Sequence, residues 1–440
     1  MKRAAGLAVF TVVYFAIAVY WASRRLLWYD ELFVYWISAL PDPMSIWRAL
    51  AAGGDDHPPL YYLLAHFAGR SELLLRLPAI LAFWGTSLCV YAFVRKSASA
   101  ACAWLSVALL FTTEAALWAV QARPYAVVLF FGAAALVAWQ RQKPVLTELL
   151  LTAAIYSGWY AVLLPLPLMA GQWARNRRDR AAWISLILPW LAALPLAPLA
   201  AKAGILSTGF WAAPKLSRLP VVYVELFGYA AAGWALAAVL TLFRSAPETP
   251  ASSWSKGEKI ATLGHLTLPV AVFMLAIVRT NAFHSRAAMI AVPGACAGVA
   301  LLLERFARTL AAPLALVAAF HFVAMPLEFA HQNTKTILRA YETARSSGGP
   351  VLLDAALYLP VLRYAGGDVA GLMLGDASGA TILERLAPYA PLRISKGEPA
   401  FTLVAWLPHN PRALAAAGYQ VRFRDQVGEF TIYDCTRTSK

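Results

Sequence analysis

The chain has 440 residues, of which 60% are hydrophobic and 14% charged, and its formal net charge at neutral pH is +15. About a quarter of the residues in a soluble globular protein are charged, so this composition excludes an ordinary soluble protein. Nucleic-acid binding is not indicated, because Lys and Arg fall in short clusters between apolar runs and form no basic stripe.

Eleven apolar segments approach the length at which a helix crosses about 30 Å of hydrocarbon. The first follows Lys2-Arg3 and is longer than the core of a signal peptide, so we interpret it as an uncleaved span. The sequence therefore predicts a helical, multi-pass membrane protein with spans at 4–22, 73–94, 98–113, 124–139, 144–158, 159–174, 181–200, 220–243, 260–279, 286–303 and 309–328.

The C-terminal segment loses these long apolar runs. Strand-like stretches at 351–353, 401–406 and 419–423 accompany a helical pattern at 412–417, which predicts a small α/β domain. We therefore divide the chain into a membrane module at 1–329 and a C-terminal domain at 330–440.

Acidic residues are scarce, 23 in the whole chain, and several lie in the loop that follows the first span, at about 23–72. Asp30 and Glu31 come directly after that span, and Asp55 and Asp56 precede His57. Carboxylates at the membrane surface can accept a proton from a hydroxyl group or hold a divalent metal. We predict that this loop holds the active site.

Helix signals also occur in this loop at about 23–72, which we call the first outer loop because the predicted topology places it outside the cytoplasm. The spacing of Trp47 and Leu50, and of Leu60, Tyr61 and Leu64, predicts two short amphipathic helices in the membrane interface. The Pro-Pro pair at 58–59 predicts the start of the second helix, where a missing backbone donor costs nothing.

Arginine on the outer side of the membrane runs against the usual charge bias and calls for a partner. Arg123 and Arg286 lie at the outer ends of two spans, and a lipid phosphate would pair with either guanidinium. Arg76 begins the second span four residues after Glu72, so we predict a structural pair between these two.

His57 has three interpretations: a metal ligand, a hydrogen-bonding partner of a substrate, or a structural residue. No second histidine lies at the spacing typical of metal ligands, so His57 by itself is weak evidence for a metal site. If a divalent metal binds, Asp30, Asp56 and His57 are the expected ligands.

Together these residues resemble the first-loop signature of GT-C-fold glycosyltransferases. The nearest branch is that of the protein O-mannosyltransferases and the lipid A aminoarabinose transferases. The resemblance covers about residues 20–300, and Ala287 stands where that branch commonly has an aromatic residue. It rests on Asp30-Glu31, HPPLYY at 57–62, ELLLRLP at 72–78, QARPYAVVLF at 121–130 and HSRAAMIAVPGA at 284–295.

The resemblance implies a glycosyltransferase that uses a polyprenyl-phosphate sugar donor on the outer face of the plasma membrane. It implies transfer to a cell-envelope acceptor (a lipid, glycan or protein hydroxyl) with inversion at the anomeric carbon. Asp30 would be the catalytic base, and Glu31 would orient the acceptor or support Asp30. The implied substrate-binding residues are Asp55, Asp56, His57, Tyr61, Arg123, Tyr125 and Arg286.

Three other functions remain as alternatives. One is a non-catalytic binding protein that recruits a partner through the C-terminal domain, which offers no motif to judge by. A transporter or flippase for a lipid-linked glycan would carry ionisable residues in mid-span and discontinuous helices. A polysaccharide polymerase or ligase of similar fold would place its key arginines and histidines in a large late loop.

The basic clusters predict the orientation of the chain. A cytoplasmic N-terminus places the clusters at 2–3, 95–96, 141–143, 175–180 and 305–308 on the cytoplasmic side, and eleven spans then place residue 440 outside. A reporter that is active only outside the cytoplasm, fused after residue 440, is expected to be active. Activity of a cytoplasmic reporter at that position would contradict the eleven-span topology.

Overall fold

The computed structural model describes residues 2–203, 212–228, 231, 253–324, 334–346, 348–366, 369–372, 378–395, 397–406 and 414–438. Within these ranges, six helices are long and apolar enough to cross a membrane. A seventh span results if the bent pair Ala100–Phe111 and Glu114–Val120, which meet at 75°, is counted as one. The protein is thus a multi-pass helical membrane protein, while the number of crossings stays a prediction.

The helices of the membrane module follow one another in chain order. They are α1 (Lys2–Arg24), α2 (Tyr29–Ser38), α3 (Pro43–Ala51), α4 (Leu60–Ala68), α5 (Glu72–Ser97), α6 (Ala100–Phe111), α7 (Tyr125–Gln140), α8 (Pro144–Ile155), α9 (Pro165–Asn176), α10 (Arg180–Ala192), α11 (Ala197–Ala203), α12 (218–228), α13 (Lys256–Gly264), α14 (Leu268–Leu275), α15 (Ser285–Ala288), α16 (Val292–Leu302) and α17 (Ala307–Ala324). Short 3₁₀ segments at Glu114–Val120 and Trp159–Leu163 and a π-helical turn at Ala276–Thr280 lie between them.

Each predicted apolar segment coincides with helical residues. The two segments at 144–158 and 159–174 are separate, because α8 ends at Ile155 and α9 begins at Pro165. The predicted span at 220–243 is helical up to 228, and residues 229–230 and 232–243 lie outside the described residues.

The first outer loop is mostly helical. Its two predicted short helices are confirmed as α3 and α4, and α4 begins directly after Pro59. Asp42 caps α3, because its carboxylate accepts a hydrogen bond from the amide of Ser45 at 2.9 Å. A third helix of this loop, α2, was not predicted, and Asp30 and Glu31 lie in its first turn.

The C-terminal domain contains a six-stranded sheet in the order β3-β2-β1-β4-β6-β5. Strands β1 to β4 run parallel, and β6 joins β4 and β5 in antiparallel pairs. The predicted strands are confirmed as β1, β4 and β5, and residues 414–416 of the predicted 412–417 helix are helical. The elements are α18 (Thr334–Arg345), β1 (Val351–Asp354), α19 (Ala355–Tyr364), β2 (Ala370–Leu372), α20 (Ser378–Leu386), β3 (Ile394–Ser395), β4 (Ala400–Ala405), β5 (Tyr419–Val427) and β6 (Phe430–Arg437).

The C-terminal domain packs directly on the first outer loop. The hydroxyl of Tyr364 accepts a hydrogen bond from the amide of Leu27 at 2.8 Å and donates one to the carboxylate of Glu72. The hydroxyl of Thr334 donates to the carbonyl of Leu27 at 2.9 Å. These bonds fix the domain against both ends of the loop that holds the acidic residues.

Candidate active site

A buried ion pair lies at the base of the site. Glu31 of α2 and Arg76 of α5 are both fully excluded from solvent. The Nε of Arg76 donates to Oε1 of Glu31 at 2.8 Å, and its Nη2 donates to Oε2 at 2.7 Å. Burial alone would raise the pKa of Glu31, but the adjacent guanidinium lowers that pKa below its usual range overall.

Further hydrogen bonds connect this pair to two other parts of the chain. Arg76 donates to the carbonyls of Ala22, at 2.6 Å, and Arg25, at 2.8 Å, where α1 ends. Glu31 accepts from the amide of Ala122 at 2.7 Å. The predicted pair of Arg76 with Glu72 is wrong: tertiary packing brings Glu31 to the guanidinium, and Glu72 accepts from Tyr364 instead.

Above this pair lies a cluster of two carboxylates and two cationic side chains. The guanidinium of Arg123 lies 3.0 Å from Oδ2 of Asp55 and 3.1 Å from Nδ1 of His57. That same Nδ1 lies 2.6 Å from Oδ1 of Asp56. Tyr62 donates its hydroxyl proton to Asp55 at 2.6 Å. Nδ1 of His57 cannot donate a hydrogen bond to Asp56 and accept one from Arg123 at the same time. The distance to Asp56 is the shorter of the two, so we infer that Nδ1 carries a proton and donates it in a hydrogen bond to Asp56.

The charges in this cluster follow from its contacts. Burial lowers the pKa of His57, but the carboxylate of Asp56 more than offsets this and the pKa rises to about 10. Burial likewise acts to raise the pKa of Asp55, and the guanidinium of Arg123 outweighs it, so that this pKa falls far below its usual range. At neutral pH Asp55 is therefore ionised and His57 is an imidazolium.

Asp30 connects this cluster to a second arginine. Its carboxylate lies 3.1 Å from Nη1 of Arg286, and its carbonyl accepts a hydrogen bond from Arg123 at 3.0 Å. The guanidinium of Arg286 also lies over the ring of Trp118, 5.3 Å from its centre, which restricts its orientation. The side chain of Asp30 is 20% exposed, whereas Glu31 is inaccessible.

A cavity of about 290 Å³ lies beside these residues. Its polar lining comes from the first outer loop, the 3₁₀ segment at Trp159–Leu163, the π-helical turn at Ala276–Thr280 and the start of α15. Its apolar lining comes mainly from α7, α14 and the residues after α15. The polar lining includes Asp56, His57, Tyr160, Arg279, Thr280, His284 and Arg286, and the apolar lining includes Val128, Leu129, Leu275, Met289 and Ile290.

The predicted site residues lie at three depths. Asp56, His57, Tyr125 and Arg286 line the cavity, and Asp30, Asp55 and Arg123 lie behind them, each in contact with one of these four or with another member of the cluster. Glu31 lies deeper, paired with Arg76, and Tyr61 is fully buried with its hydroxyl bonded to the carbonyl of Leu75 at 2.9 Å.

Two residues that line the cavity, Arg279 and His284, were not predicted from the sequence. Arg279 lies at the outer end of the predicted span 260–279, so the charge-bias argument that singled out Arg286 applies to it equally. His284 is adjacent in sequence to a residue already chosen, but a histidine near a span end indicates no particular chemistry by itself.

A group of potential metal ligands lies in the cluster. One ligand atom each from Asp55, Asp56 and His57 lies within 4.8 Å of the others, so Asp55 takes the place predicted for Asp30. The donor types suit a divalent ion. However, the guanidinium of Arg123 already contacts Asp55 and His57, and a metal would have to displace this cation or bind beside it.

The protein has the GT-C fold, as the sequence predicted. It is similar to two crystal structures of ArnT from Cupriavidus metallidurans, one bound to undecaprenyl phosphate and one in the apo state, each with a TM-score of 0.56. The identities are 14% and 15%, and the matches cover 98% and 97% of this chain and 98% and 96% of ArnT. No protein-family model and no curated protein sequence matches the chain.

Breaking the buried ion pair is expected to destabilise the fold. Glu31→Gln leaves the Arg76 guanidinium buried with a neutral partner, which typically costs about 3–5 kcal/mol. Glu225→Gln is the control, because it breaks the exposed pair with Arg218 and is expected to cost under about 1 kcal/mol. Thermal unfolding of both variants in detergent measures the difference, and equal midpoints would contradict the anchoring role.

Proposed function

We propose that this protein is a glycosyltransferase that moves a sugar from a polyprenyl-phosphate donor to a hydroxyl of a cell-envelope acceptor. The observation that carries the proposal is the cavity in which Arg279 and Arg286 accompany a wall of apolar side chains. An apolar chain that ends in a phosphate matches both parts of such a site. ArnT, which shares the fold, is bound to undecaprenyl phosphate in one of its crystal structures.

Arg286 is well suited to hold the donor phosphate. A guanidinium has five N–H donors, and Arg286 uses one at Asp30, so the others can reach a phosphate. Phosphate is a good leaving group and chiefly requires stabilisation of the charge that develops on it. Arg279 and the imidazolium of His57, which line the same cavity, add positive charge for this purpose.

Asp30 is the proposed catalytic base. Glu31 and Asp55 are committed to buried pairs with arginines, which leaves Asp30 and Asp56 as the accessible carboxylates of the cluster. Asp56 is bound to His57 at 2.6 Å, whereas Asp30 is beside the arginine assigned to the phosphate.

In the proposed reaction, Asp30 takes the proton of the acceptor hydroxyl while its oxygen attacks the anomeric carbon. The bond from that carbon to the phosphate oxygen breaks, and polyprenyl phosphate leaves with the electron pair. Attack opposite the leaving phosphate inverts the anomeric carbon. No step uses a metal, because Arg123 and His57 already supply the positive charge at Asp55 and Asp56.

The orientation of the chain supports action on the outer face of the plasma membrane. The first outer loop and the C-terminal domain, which contact each other, share one side of the predicted topology. A flippase is less well supported, because the ion pairs described here gather around the first outer loop instead of in mid-span.

Asp30→Asn is expected to lower the rate of sugar transfer by about 10²–10⁴-fold, the usual effect of removing a positioned base. Turnover with a polyprenyl-phosphate sugar donor is the measurement. Asp42→Asn serves as the control, since it changes an exposed carboxylate of the same loop and Asn also caps a helix well. If Asp56→Asn abolishes transfer while Asp30→Asn does not, the base is Asp56.

Arg286→Ala is expected to weaken binding of undecaprenyl phosphate by about 10–100-fold, because it removes a charged hydrogen bond to the phosphate. Binding to the purified protein in nanodiscs can be followed by tryptophan fluorescence. Arg308→Ala, an exposed arginine of α17, is the matched control. Unchanged affinity of the Arg286 variant would remove this residue from the phosphate site.

A further inference from the structure

The C-terminal domain reaches the candidate active site through α20. Ile382 of this helix lines the same cavity as Asp56 and His57. Arg385 follows three residues later, so it lies next to Ile382 on the same face of the helix. The wall of the cavity therefore includes a residue more than three hundred positions away from the first outer loop in sequence.

The first outer loop packs closely against α20 at two consecutive glycines. A Cβ atom at Gly53 would lie 2.9 Å from Nη1 and 3.0 Å from Cδ of Arg385, and one at Gly54 would lie 3.3 Å from Leu386. Gly53 also has a φ of +87°, which favours glycine. The backbone just before Asp55 thus lies so close to α20 that a larger residue at Gly53 or Gly54 would push against Arg385 or Leu386.

Arg385 brings an unsatisfied donor to this contact. Its Nη1 is buried and has no hydrogen-bond acceptor among the residues that the structure describes. Buried polar atoms normally have a partner, and a charged donor without one is especially unfavourable. An acceptor atom from a bound molecule would satisfy it.

We propose that α20 forms the acceptor side of the active site and that Arg385 binds an anionic group of the acceptor, either a phosphate or a carboxylate. This inference rests on the proposed glycosyltransferase function and specifies its acceptor. The planar guanidinium pairs with both kinds of anion through two parallel hydrogen bonds. Arg279 and Arg286 are contributed by other elements and serve the donor phosphate, so the two substrates use separate arginines.

The test uses the full chain in nanodiscs, a polyprenyl-phosphate sugar donor and a cell-envelope glycolipid extract as acceptor. The extract is used untreated, after phosphatase treatment, and after methyl esterification of carboxylates. Arg385→Ala is compared with the wild type, and Arg422→Ala, an exposed arginine of β5, is the control. Arg385→Gln is the second variant if truncation to alanine lowers the thermal midpoint.

Removal of the recognised anion is expected to raise the acceptor KM of the wild type by about 10–100-fold, the loss expected for a charged hydrogen bond. The treatment that has this effect identifies the anion as a phosphate or a carboxylate. Arg385→Ala is expected to show the raised KM already with untreated extract and no further change after treatment. Its affinity for undecaprenyl phosphate is expected to equal that of the wild type.

Three outcomes would overturn this proposal: an Arg385 variant that behaves like Arg422→Ala, one that stays sensitive to acceptor treatment, or one that binds undecaprenyl phosphate more weakly. Failure of the underlying function looks different. In that case neither the wild type nor any Arg385 variant transfers sugar to any fraction of the extract.

Discussion

The ion pair between Glu31 and Arg76 is the interaction on which the rest of the site depends. Both side chains are fully buried, so each charge must be satisfied by protein groups or the fold is destabilised. The pair does this by bonding the end of α1, the first turn of α2, the second span and the backbone at Ala122. Four parts of the chain that are distant in sequence therefore have one fixed arrangement.

That arrangement positions the neighbouring groups. Asp30 precedes Glu31 in the same helical turn, and Arg123 follows Ala122, so both are fixed by the buried pair through the backbone. Arg123 in turn bonds the carbonyl of Asp30 and the carboxylate of Asp55. The acidic residues thus divide by accessibility: Glu31 and Asp55 are buried in ion pairs with arginines, whereas Asp30 and Asp56 are partly exposed.

The sequence predicted correctly those structural features that depend only on residues near one another in the chain. Hydropathy gave the helical segments, since an apolar run must be helical to satisfy its backbone in a membrane, and the scarcity of acidic residues pointed to the first outer loop. The ion-pair partners of buried residues, by contrast, could not be predicted from sequence spacing. Helical spacing favoured Glu72 for Arg76, but packing brings Glu31 from 45 residues away. Nothing in sequence spacing could place Ile382 beside His57, because that contact depends on how the C-terminal domain docks.

This docking bears on how the site is organised for catalysis. The first outer loop is held on one side by the membrane module through Arg76, and on the other by the C-terminal domain through Tyr364, Thr334 and α20. Electrostatic stabilisation of a leaving phosphate is effective only if the charged groups are already in place before the reaction. Arg123 and Tyr62 already bind Asp55, and the contact with α20 also restricts the two glycines before it, which have little conformational preference of their own. The C-terminal domain therefore contributes to the candidate active site, because Ile382 lines its cavity and α20 contacts the loop before Asp55.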